Sequence, residues 1–122
     1  MPTLDKLRDR VRWVDVPGYP GVRAALKTAH DINYRRALME GMLPHLNFIR
    51  DGGVLDPTIT DPINNLAVAE YLLEDWKGIE DGKGDPLPFS RDLAVKLSLD
   101  PSFGGFFRSL QEKAEELAGR KR

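Results

Sequence analysis

The stretch Tyr71–Ser90, YLLEDWKGIEDGKGDPLPFS, decides how the rest of the chain is read. An apolar run closes on Trp76, crosses Gly78, Gly82 and Gly84 among acids, and restarts at Leu87-Pro88-Phe89-Ser90. Upstream, Ile63, Leu66, Ala69 or Glu70, Leu73 and Trp76 recur at three- and four-residue steps, the period of a helix face. Asp61-Pro62 has the residues of a helix start, because Asp caps the first amides and Pro loses only an amide that would be orphaned. Gly78 then supplies a stop. On this reading Trp76 closes a helix, the glycines permit a turn, and Ser90 opens the next helix, with Leu93 and Leu97 facing inward.

A reactive loop has to meet the geometry of its chemistry. A phosphate loop sets four residues between its first Gly and a Gly-Lys pair, followed by Ser or Thr. Gly78-Ile79-Glu80-Asp81-Gly82-Lys83-Gly84 has only three between, ends in Gly, and carries acids that repel phosphate. A calcium loop needs oxygen ligands at alternating positions and a closing Glu. Counted from Asp75, the ligand positions fall on Lys77 and Ile79; counted from Asp81, they include Lys83. The stretch reads as a joint between two helices.

On the N-terminal side, Val11–Val16 is rich in β-branched residues and runs into PGYPG at 17–21. Val22, Ala24 and Leu26 then alternate with Arg23 and Lys27. This predicts a β-hairpin, with Val11 and Trp13 as anchors on its packed face. Thr28 to Asp31 carries capping residues for a helix whose inner face is Tyr34, Ala37, Leu38, Gly41 and Met42, ending near Leu43 before Pro44. On the C-terminal side, Asp100-Pro101 opens a last helix with Phe103, Phe106 or Phe107, Leu110, Ala114 and Leu117 as its stripe. Phe106 and Phe107 differ by about 100° in azimuth, so the aromatic trio exceeds what one core-facing stripe takes. The surplus points to a protein partner. The fold class is mainly α (α+β): an N-terminal β-hairpin followed by about four helices packed as a small bundle. The expected organisation is one domain over 1–122 with flexible ends at 1–10 and 119–122.

Composition removes several functions. The 122 residues include no cysteine, which excludes a disulfide scaffold, cysteine-ligated zinc and thiol catalysis. No apolar run approaches the ~18 residues of a membrane span, and MPTLDKLRDRVRW lacks an apolar leader core, so no membrane partner is expected. The net charge is −1, and the basic ends are too sparse for a nucleic-acid footprint. His30 and His45 lack partners at a diagnostic spacing, and the 19 acids single out no catalytic pair. Neither an enzyme nor any catalytic, cofactor-binding or metal residue is expected.

In order along the chain stand Asp75-Trp76-Lys77-Gly78-Ile79, the turn Asp81–Gly84, Leu87-Pro88-Phe89-Ser90 and Asp100-Pro101-Ser102-Phe103, preceded by VDVPGYPGVRAALKTA at 14–29. With that order and spacing the chain resembles the tail assembly chaperones of long-tailed bacteriophages and prophages. The resemblance implies a non-enzymatic protein of the host cytoplasm, absent from the mature virion. It implies transient binding of the tape measure protein, recruitment of tail tube protein, and self-association. No site residues carry over from the resemblance. The aromatics Tyr71, Trp76, Phe89, Phe103, Phe106 and Phe107 are therefore the expected partner-binding residues on their character alone. The competing expectation is a structural phage component, such as a head–tail connector or tail completion protein, which would persist in virions.

Overall fold

A computed structural model of the chain describes residues 11–119. The ends expected to be flexible lie outside the described residues, apart from Gly119. Strands β1 (Val11–Asp15) and β2 (Arg23–Lys27) form the expected antiparallel hairpin, with Val14 opposite Ala24 and Arg12 opposite Leu26. The packed face carries Val14, Ala24 and Leu26, so the expected anchor Trp13 has the opposite parity. It lies on the outer face at 37% exposure, with the Lys77 ammonium 4.7 Å from its ring centroid.

A third strand, β3 (Leu73–Lys77), pairs antiparallel with the other edge of β2, giving the order β1-β2-β3. This corrects the expected helix through Trp76. The helical reading holds as far as Leu72: α3 (Pro57–Ala67) runs directly into a π-helical turn, Val68–Leu72, and only then does the chain extend. The pairing explains the misreading. Ala24 faces Trp76 and Ala25 faces Asp75, but Leu26 faces Leu73, so Glu74 is an extra residue in the strand. A bulge of this kind resets the alternation of the pleat. Leu73 and Trp76, spaced like helix neighbours, thereby both turn into the core.

Two helix starts also move. Asp31 caps α1 (Ile32–Met42), its carboxylate accepting from the Tyr34 amide at 2.9 Å, while the Thr28 hydroxyl accepts from the His30 amide one turn earlier. Helix α3 starts at Asp56-Pro57, where Asp56 accepts from the Thr58 amide at 2.9 Å, and Pro62 falls inside the helix. Asp56-Pro57 and Asp61-Pro62 carry the same start chemistry. The earlier start is tolerable because Pro62 deprives only the Thr58 carbonyl of its helical partner, at an exposed end of the helix. After α1 come a 3-10 turn at Leu43–His45, with Pro44 inside it, and the short α2 (Leu46–Arg50).

Ser90 caps α4 (Arg91–Ser98) as expected, accepting from the Leu93 amide at 3.1 Å. Asp100-Pro101 opens a 3-10 turn (Pro101–Phe103) that leads into α5 (Gly104–Leu117). Bonds from the Thr58 hydroxyl and amide hold Asp56 below the ordinary carboxylate value of 3.8. Those from the Ser102 amide and hydroxyl do the same for Asp100. The core lies between the inner sheet face and the helices, joining Leu26, Trp76 and Leu73 to Tyr34, Val68, Leu72, Phe107 and Leu110.

Arg91 secures the place where helix becomes strand. Its Nη1 donates to the Ala69 carbonyl at 2.7 Å and also to the Leu73 carbonyl, and its Nη2 lies 3.3 Å from Glu74 Oε2. Carbonyls at a helix end otherwise lack donors. Arg91→Ala is expected to lower stability by about 1–3 kcal/mol, the range for hydrogen bonds to a charged group. Arg91→Lys should recover only part, because an ammonium lacks the planar fork. Urea unfolding midpoints of the two variants check this.

Candidate protein-interaction surface

The six aromatics named as partner residues divide by burial. Trp76 at 4%, Phe106 at 4% and Phe107 at 0% exposure belong to the core. Tyr71, Phe89 and Phe103 are half-buried and pack against it. Trp76 stacks edge-on against Phe89 with centroids 5.0 Å apart, and Phe106 makes the same kind of contact with both Tyr19 and Phe107 at 5.3 Å. The surplus of aromatics on the last helix is thus absorbed inside the fold. Tyr19 from the hairpin turn takes one face of Phe106, a contact that no periodicity within α5 announces. Phe103 instead lines a cleft of about 400 Å³ with Tyr19, Val22, Ile79 and Leu97.

The loop after β3 is closed on itself. The Asp81 carboxylate accepts from the amides of Lys83 at 2.8 Å and Asp85 at 3.1 Å. Backbone bonds join Asp81 to Asp85 and Leu87 to Ile79, both at 2.8 Å. The Asp81 carboxylate therefore serves the turn, and the stretch is a joint from a strand to a helix where a joint between two helices was expected. His30 bonds to the Ala118 carbonyl at 3.0 Å, a capping role at the end of α5. Among the described residues no three or more His, Asp or Glu side chains converge as metal ligands. No helix there is long and apolar enough to cross a membrane.

The exposed apolar surface lies elsewhere. Among the described residues, Met39 at 68%, Leu43, Leu46, Phe48, Ile49 and Val54 at 87% exposure cluster within sixteen consecutive positions, 39–54, with Ile32 one helix face earlier. Outside this segment, among the described residues, only Trp13, Ile32 and Leu99 are large, apolar and exposed. Helix α2 packs chiefly on the 3-10 turn that precedes it, so these side chains stand on an arm beside the core. The arm closes locally: the Gly53 amide donates to the Phe48 carbonyl at 2.9 Å, and the Phe48 ring lies where a Cβ on Gly53 would be, 2.5 Å away. A side chain at 53 would displace that ring.

Sequence reasoning followed the core stripe of α1 and passed over this second one. The available signal was its phase: Ile32, Met39, Leu43 and Leu46 repeat at helical steps on the side opposite Tyr34 and Gly41. Clustered exposed apolar side chains of this size mark interaction surfaces.

Neither a curated protein nor a solved structure matches the chain. A family model described as YdaY prophage protein matches residues 27–122, from the last residue of β2 through every helix. The prophage association implied by the resemblance is thereby supported at the level of the family. The chain belongs to the YdaY prophage protein family.

Proposed function

We propose that this prophage protein is a tail assembly chaperone that binds the tape measure protein in the host cytoplasm and keeps its apolar helices soluble until tail tube subunits replace it. The observation that carries this reading is the arm at 39–54, where a small chain leaves six large apolar side chains in solvent. The ordered motifs from Asp75 to Phe103 and membership of a prophage family support it. A helical ridge with apolar side chains on it is suited to laying against a partner helix. Contact through one such ridge gives the fast dissociation that a displaceable chaperone needs.

Co-expression with the tape measure protein of the same prophage tests the reading. The tape measure is expected to be insoluble alone and to co-elute with this chain when both are made. Leu43→Glu with Leu46→Glu should abolish the complex while leaving stability within about 0.5 kcal/mol, as for other exposed sites. A tape measure that stays insoluble with the wild-type chain, with no complex eluting, sinks the proposal.

A further inference from the structure

The exposed stripe from α1 through the 3-10 turn to the start of α2 is flanked on α1 by two arginines. Ile32, Met39, Leu43 and Leu46 follow at steps of seven, four and three residues, all exposed. On a helix of about 100° per residue, Arg35 and Arg36 fall on opposite sides of the line through Met39. Glu40 lies further round, beyond Arg36. Arg35 and Arg36 are exposed, and neither makes an ion pair or a side-chain hydrogen bond to any described residue. Both arginines, with Ile32, Met39 and His30, line a cleft of about 360 Å³.

We propose that this stripe takes an acidic amphipathic helix of the partner, one whose apolar seam is bordered by Asp or Glu. The inference rests on the chaperone reading and names the chemistry of the segment bound. Apolar side chains of the incoming helix cover Met39 and Leu43, and its flanking carboxylates meet guanidiniums whose planar forks donate to both oxygens. Parallel, in-register pairing of two copies would set Arg35 and Arg36 against their own counterparts, and like charges in register repel. An acidic helix gains at the same positions.

Two synthetic helical peptides with one leucine seam, flanked by glutamate in one and lysine in the other, test the proposal by fluorescence anisotropy. Vesicles of phosphatidylcholine with phosphatidylglycerol form a third arm. The glutamate peptide is expected to bind about three- to tenfold more tightly than the lysine peptide, as exposed ion pairs allow, with the gap closing at high salt. R35E/R36E should reverse the preference, and R35Q/R36Q should erase it, with unchanged circular dichroism in both. Equal binding of the two peptides, a preference that survives R35E/R36E, or binding of vesicles but neither peptide overturns the proposal. The co-expression result is independent of these outcomes. A soluble tape measure complex with no peptide preference discards the acidic partner and keeps the chaperone. A peptide preference with no tape measure complex does the reverse.

Discussion

Trp76→Ala is expected to lower the stability of the folded chain by about 3–5 kcal/mol, the range for deleting a buried aromatic. Three contacts are lost together. The indole fills the core at 4% exposure, stacks edge-on with Phe89, and donates from Nε1 to the Leu87 carbonyl at 2.7 Å. That last bond ties β3 to the far side of the loop, so the substitution also loosens the approach to α4. Trp76→Phe keeps a ring but not the donor, and should cost less than the alanine variant. Urea unfolding of both variants checks the ranking. Unchanged stability with weakened partner binding would instead return Trp76 to the interface role first expected of it.

Gly78→Ala is the second large effect, expected at about 3 kcal/mol or more. Gly78 has φ +87°, a region that costs a residue with a Cβ about 1–2 kcal/mol. The Cβ would also sit 2.1 Å from the Gly21 carbonyl oxygen, a backbone atom that moves only if the hairpin turn moves. Overlap of this kind adds a cost comparable to overpacking. Two neighbouring glycines serve as controls. Gly84 has φ +86° but open space, so its alanine variant should show only the backbone cost, and Gly82 has neither feature. Thermal melts should rank the alanine variants at 78, 84 and 82 in that order of damage. Equal damage at 78 and 84 would remove the close approach to Gly21 from the account.

The stretch 71–90 shows how far the residues alone reach. The joint after Gly78, the Ser90 cap and the Asp-Pro opening at 100–101 depend on short-range chemistry, and all three were legible. The strand at 73–77 was not, because its signal is long-range. Helical spacing of Leu73 and Trp76 is produced here by one bulged residue, and the bulge exists only through pairing with β2, some fifty positions earlier. The start of α3 failed for a different reason: two Asp-Pro pairs compete, and local chemistry does not rank them. The proposed docking surface was passed over through weighting. Aromatic character pointed to Trp76, Phe106 and Phe107, which the core consumes, while the exposed residues at 39–54 are mostly aliphatic and were overshadowed by the core stripe of α1. Tyr19 meeting Phe106 illustrates the point, since a turn residue from the hairpin decides the burial of a side chain on the last helix.

Hydrogen exchange of the chain, alone and mixed with the tape measure protein, tests the proposed docking surface most directly. Amides in the arm should exchange rapidly in the free chain, because α2 has little tertiary packing to hold it. Binding is predicted to slow exchange across residues 39–54, with β1 and the turn at 78–86 unchanged. Protection along β1 around Trp13, with the arm still exchanging freely, would contradict the assignment of the arm as the docking surface.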